Sequence, residues 1–282
     1  MNVDGRTVLA VARKEFADHV RNRWILALAL IFVVLTVVAS LLAGGEAGGD
    51  SLLGGLEGTV TSLISISSIL IPLIAIMLGY ATISGEAESG ALALVLAYPV
   101  NRTEVLLGKL SGLASVLVVA TVFGFGIGGI IVTAVAGGEN VTAFLTFIGL
   151  AILLGLLYLS LAVFFSTITH RRSTSIAAGV LIFFWSMLYG TLIFGIYLAT
   201  GGTLQDMLAG EPLPDWFWGS IVLSPMDMHQ SAVTQAFGIE QAFGFDITPP
   251  GYMTVEYLVA VQLVWVIVPL LLAFWAFRRR DV

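Results

Sequence analysis

The stretch "AFLTFIGLAILLGLLYLSLAVFFS", residues 143–166, contains no charged side chain. As an α-helix rising 1.5 Å per residue it would extend about 36 Å, enough to cross a hydrocarbon core of about 30 Å. Water would solvate such a helix poorly on every side, whereas in lipid it satisfies its own backbone hydrogen bonds. Five further uncharged runs of at least 20 residues occupy 24–43, 60–83, 113–136, 176–199 and 257–277. The 282-residue chain is 58% apolar and 11% charged, with a mean hydropathy of +1.01, beyond the usual range of soluble domains. The predicted fold class is all-α: a polytopic membrane protein with six transmembrane helices in a single domain over 1–282. The run at 24–43 does not read as a secretory leader, because its apolar core is too long and a 23-residue charged segment precedes it.

The basic residues set the orientation. Arg6, Arg13, Lys14, Arg21 and Arg23 precede the first run, Arg102 and Lys109 lie between the second and third, Arg171 and Arg172 between the fourth and fifth, and Arg278, Arg279 and Arg280 follow the sixth. With six spans, all twelve fall on one side. The other side carries eleven acids: Glu46, Asp50, Glu57, Glu139, Asp206, Glu211, Asp215, Asp227, Glu240, Asp246 and Glu256. The positive-inside rule then makes both termini cytoplasmic, in a multi-pass cell (inner) membrane protein.

Several chemistries are excluded. The chain has no cysteine, hence no disulfide, thiolate metal site or cysteine nucleophile. No run holds Asp, Glu, Lys, Arg or His, which argues against a proton-coupled carrier, a voltage sensor or an intramembrane hydrolase. "GFGIGG" at 124–129 matches a dinucleotide fingerprint but lies in mid-span, where glycines favour close helix packing. "GKL" at 108–110 lacks the remainder of a P-loop. No catalytic residue and no cofactor are assigned to this chain, and nothing points to nucleic acid.

Residues 1–23 carry Leu9, Ala12, Phe16 and Val20 at helical spacing, with Lys14 and Asp18 as an i,i+4 pair, and predict an N-terminal amphipathic interfacial helix on membrane lipid. In the second run Thr61, Ser65, Ser68 and Pro72 share a face. That face reads either as hydroxyls bonding their own backbone around a proline, or as a pathway or dimer seam. On the outer side, 44–59 is glycine-rich, 137–142 is a short turn, and 200–256 is long enough to hold structure. Trp216, Phe217 and Trp218 suggest an interfacial anchor there, with a short surface helix over 227–237.

Residues 84–104 form the cytoplasmic connection between the second and third runs. Within "GEAESGALALVLAYPVNRTEVLLGK", 85–109, acids come first (Glu86, Glu88), then an apolar centre including Leu92 and Leu96, then Tyr98-Pro99 as a stop. Asn101 and Glu104 have capping-box spacing before the third run, and Arg102 and Lys109 lie at the boundary. An apolar cytoplasmic helix must be covered, and a soluble partner would cover it.

On these residues the sequence resembles permeases of the ATP-binding-cassette type-2 exporter class. Within it, the chain is most similar to the NosY-like branch that serves nitrous-oxide reductase maturation. The likeness is carried by 85–109, by "ARKEFADHVRNRWILALAL" at 12–30, "SPMDMHQ" at 224–230 and "LLLAFWAFRRRDV" at 270–282. The resemblance implies a homodimer served by a cytoplasmic ATPase subunit, which would hold the ATP and Mg. It implies that 1–23 is the connecting helix and that Glu86, Glu88, Leu92, Leu96, Tyr98 and Arg102 belong to the ATPase-coupling segment. It places Ser65, Ser68 and Pro72 near the dimer axis, and an extracytoplasmic maturation protein against the outer loop. Trp216, Trp218 and Asp227 are the expected contacts of that partner. Met226, Met228 and His229 form a soft-ligand cluster suited to copper as cargo, or pack a helix. An ATP-independent scaffold or channel is the alternative function.

Overall fold

The structure, a computed structural model, describes residues 3–43, 56–136, 141–209, 211–239, 241–242, 245–246 and 249–280. Most of the expected loop at 44–59 and of the turn at 137–142 lies outside them. Helix α1 (Gly5–Val20) starts at Asp4, whose side chain accepts from the Arg6 N–H. It is followed by α2 (Arg23–Ala43), α3 (Leu56–Gly79), α4 (Ser84–Glu88), α5 (Ala91–Leu96), α6 (Arg102–Ala136), α7 (Val141–Ile168) and α8 (Arg172–Ala199). Beyond these come α9 (Leu204–Leu208), α10 (Asp215–Ser220), a 3-10 turn (Ile221–Leu223), α11 (Pro225–Ala236) and α12 (Val255–Arg279). A two-stranded antiparallel ladder, β1 (Gln241–Ala242) with β2 (Phe245–Asp246), holds the only strands among the described residues.

Among those residues five helical segments are long and apolar enough to cross a membrane: Val60–Glu88, Arg102–Ile127, Val141–Ile168, Arg172–Ala199 and Val255–Arg279. They cover five of the six expected runs. The first run forms α2, whose described apolar part, Leu26–Val38, is shorter.

Helix α7 is the central post. Its buried residues point in every direction, and α3, α6, α8, α11 and α12 all pack on it. Helix α2 docks instead on α6. There Gly124 leaves the space that the Phe32 ring occupies: a Cβ at Gly124 would stand 2.2 Å from that ring. Phe32 meets Phe125 edge-on at 4.5 Å, and Phe125 meets Phe147 likewise. The mid-span glycine motif therefore serves packing at this position, as its location predicted.

The segment expected to form an outer surface helix folds inward instead. Tyr189 donates to the Ser220 carbonyl (2.9 Å), Trp265 to Val222 (3.0 Å) and Trp185 to Leu223 (3.4 Å). Ser224 donates its hydroxyl to the Ser186 carbonyl at 3.4 Å. Ser186 and Trp265 lie about 20 Å and 15 Å along α8 and α12 from Ala199 and Val255, so α10, the 3-10 turn and α11 form a hairpin descending between the long helices. Ser224 caps α11 by accepting from the Asp227 N–H, with Pro225 in the first turn. Met226, Met228, His229, Ala232 and Val233 are buried, so this helix hides a face that the surface reading had left exposed.

Candidate functional site

At the end of the bundle that carries the bases, α6 runs about three turns past its apolar run, and α1 lies against that extension. Gly108 and Gly112 permit the approach: an added Cβ would stand 2.6 Å from Val11 Cβ and from the Ala12 carbonyl oxygen, respectively. The Lys109 ammonium sits between them, only 3% exposed. It bonds Glu15 of α1 and Glu86 of α4, each at 2.7 Å. Burial alone would push the Glu15 carboxyl up, but Lys109 beside it, helped by Lys14 and His19, holds it below the ordinary value. One ammonium thus joins three helices that are far apart in sequence.

Other polar residues at this end of the bundle act as caps. Ser166 of α7 accepts from the N–H groups of Ile83 and Ser84, both at 3.0 Å, and so holds the start of α4. Glu88 accepts from the Arg172 N–H at 3.0 Å and lies 3.5 Å from its guanidinium. It serves the N-terminus of α8, whose own cap residue Arg171 makes no side-chain cap bond. Arg102 donates to the carbonyls of Phe277, Arg278 and Arg280 and closes the C-terminus of α12. Arg280 donates to the Ser166 and Thr167 carbonyls. Glu104 accepts from the N–H groups of Asn101 (2.9 Å), as the capping spacing predicted, and of Asp4 (2.8 Å). The expected Lys14–Asp18 pair is present at 3.3 Å.

Helix α5 begins after Gly90, which takes φ +76°. Its apolar residues divide. Leu92 is fully buried and Leu96 partly, whereas Leu94 and Tyr98 are each 71% exposed. Leu92 is therefore an anchor of the segment, and the outward face consists of Leu94 and Tyr98. Periodicity could not make that choice, because six apolar residues present no polar side. Lys109 and Glu15 were also missed as site residues. The Gly108–Gly112 spacing was the available signal that a helix would press on the lysine.

The seam residues also separate: Ser65 is exposed and bonds the Thr61 carbonyl, while Ser68 and Pro72 are buried. Around them, α8 presents Leu181, Phe184, Met187, Leu188 and Leu192 outward.

At the opposite end, Trp216 is exposed but Trp218 is buried. Met226, Met228 and His229 do not sit on the outer face. They point into the bundle, with His229 Nε2 hydrogen-bonded to Ser67 Oγ at 2.9 Å. The cause is the helical spacing of the inner face of α11, which puts the sulfurs into the apolar core as packing groups. The hairpin thereby carries Asp227 and His229 in among helices whose central stretches hold no Asp, Glu, Lys, Arg or His. Asp227 borders a cavity of about 180 Å³ between α8, α10 and α11.

Comparison with known proteins identifies the family. The family model described as "ABC-2 family transporter protein" matches residues 9–282. Two proteins named "Probable ABC transporter permease protein NosY" are similar along nearly their whole length. The one from Pseudomonas aeruginosa is 34% identical over 98% of this chain and 99% of its own. The one from Stutzerimonas stutzeri is 34% identical over 96% of this chain and 97% of its own.

Proposed function

Because this chain belongs to the ABC-2 family of transporter proteins, we propose that it is a membrane permease subunit driven by a separate cytoplasmic ATPase docked on the Leu94–Tyr98 face. The observation that carries this reading is the buried Glu15–Lys109–Glu86 group, whose Glu86 belongs to α4, the short helix packed on α5. A push on α5 passes through the short α4 to Lys109, and from there to α1 and α6 at once. Glu88 and Ser166 tie the same segment to α8 and α7. A loop that merely connected two spans would need none of these ties.

In this reading the chain crosses the inner membrane six times, with α2 as the first span, α1 in the interface and both termini in the cytoplasm. Two copies associate through α3 and α8, with Ser65 near the axis. The stroke reaches the outer hairpin, where Trp216 and the polar edge of α11 meet an extracytoplasmic partner. The output is export, or remodelling of that partner. The branch that the sequence most resembles serves nitrous-oxide reductase, so copper-site maturation is the proposed setting and copper the proposed cargo.

The test is capture of the ATPase by the full chain. Leu94→Asp with Tyr98→Asp should abolish co-purification while membrane insertion and thermal stability stay normal. Undiminished co-purification would place the docking face elsewhere.

A further inference from the structure

We propose that the cavity between α8, α10 and α11 is a binding site for a small organic ammonium ion. Asp227 supplies its charge. Tyr189, Phe217 and Trp218 line it with aromatic surface, and Gln230 adds a neutral polar group. Gly190 gives the carboxylate its place, since a Cβ there would stand 3.1 Å from Asp227 Oδ1. The site is independent of the coupling reading.

The argument for a cation starts from the charge distribution. All twelve Lys and Arg of the chain lie in segments at the other end of the bundle, so none can reach Asp227. The described salt bridges accordingly do not include it. A largely enclosed carboxylate with no cation of its own chain is favourable ground for one from outside.

The lining decides which cation. A hard metal ion needs several oxygens converging at one point. Among the described residues the cavity lining holds one carboxylate; Gln230, Ser231, Thr234 and Gln235 are strung along about 8 Å of rising helix, and Ser220 donates its hydroxyl to the Phe217 carbonyl. Among the described residues no group of three or more His, Cys, Asp or Glu converges on a metal position. Met226 and Met228 are buried and do not line the cavity. Aromatic walls beside a carboxylate suit an ammonium with an apolar body, which gains cation–π attraction and apolar burial together. The Tyr189 hydroxyl is already committed to the Ser220 carbonyl, so that residue offers its ring. A phospholipid head group would bring an ammonium too, but with a phosphate that this end has no base to receive.

The probe is n-butylammonium chloride, with 1-butanol as its neutral counterpart. The full chain is placed in nanodiscs of phosphatidylglycerol, whose head group carries no ammonium, and binding is read by saturation-transfer NMR and tryptophan fluorescence. Wild type should bind butylammonium saturably with a Kd of about 1 mM or below, and butanol without saturation. Asp227→Asn should weaken binding by about tenfold or more, whereas Asp215→Asn, outside the cavity, should not. If Asp227→Asn fails to assemble, Gly190→Ala carries the same test by crowding the carboxylate. Repeating the titration with phosphatidylethanolamine in the discs identifies the source. Competition assigns the site to a head-group ammonium and no competition to a free amine, and either result upholds ammonium recognition. Absence of saturable binding to wild type, or equal affinity in the Asp227 and Gly190 variants, overturns the proposal.

Discussion

Replacing Lys109 by Met should damage this protein more than any other single loss of charge at its basic end. The ammonium is almost wholly buried and holds Glu15 and Glu86 at 2.7 Å each. Glu86 retains some contact with solvent, so its pair is partly screened and is discounted. The Glu15 pair is enclosed on both sides. Removing the lysine leaves that carboxylate buried and uncompensated, which costs about 3 kcal/mol. At about 2–4 °C per kcal/mol for chains of this size, the midpoint of thermal unfolding should fall by about 6 °C or more. Size-exclusion recovery after heating the detergent-solubilised chain measures this. Adding Glu15→Gln and Glu86→Gln to the lysine variant removes the stranded charges and should restore most of the loss. The acid dependence has a defined sign. The folded Glu15 value is depressed, so its contribution is constant above the ordinary carboxylate value of about 4.3 and is lost only as pH falls below it. An unchanged midpoint for Lys109→Met, or no recovery in the triple variant, would refute the ion group as a structural joint.

Other perturbations should give equally distinct results. Gly124→Leu should prevent α2 from docking, because its Cβ alone would overlap the Phe32 ring; protease protection of the α1–α2 segment should fall, and Phe32→Ala in the same chain should partly rescue it. Cysteine at Ser65 should cross-link two copies in a chain that has no native cysteine, whereas cysteine at buried Ser68 should not, and the reverse pattern would turn α3 around. Met226→Leu with Met228→Leu keeps the volume of two core residues and should leave stability, and copper delivery in the proposed maturation setting, unchanged; lost delivery in a stable variant would restore the sulfurs as ligands.

The long helices were legible because lipid imposes one demand, about 20 apolar residues with satisfied backbones, and the sequence shows it directly. The start of α6 was legible as well: the Asn101–Glu104 capping spacing marked it, and the helix begins at Arg102, well before its uncharged run. The packing that sustains this extension, against α1, was not. A lysine near a span boundary ordinarily reaches water, and nothing local marked Lys109 as enclosed. Its partners come from α1 and α4, distant in sequence. The hairpin was misread for a related reason. The inner face of α11 mixes Met, His and Ala, so average polarity suggested a surface helix, while the tertiary fold supplied a core for that face. Trp218 and Trp216 differ by about half a helical turn, and so one is buried and one exposed.

The central claim, that force from an ATPase at α5 reaches the outer hairpin, can be measured as a distance. Spin labels on cysteines introduced at exposed Ser89 and Asp215 would report the span between the two ends. In nanodiscs with the cognate ATPase, trapping the nucleotide state with vanadate should shift the distance distribution by several ångströms, and Lys109→Met should suppress the shift while ATP turnover continues. An unchanged distribution in the wild-type complex during full ATP turnover would contradict the account.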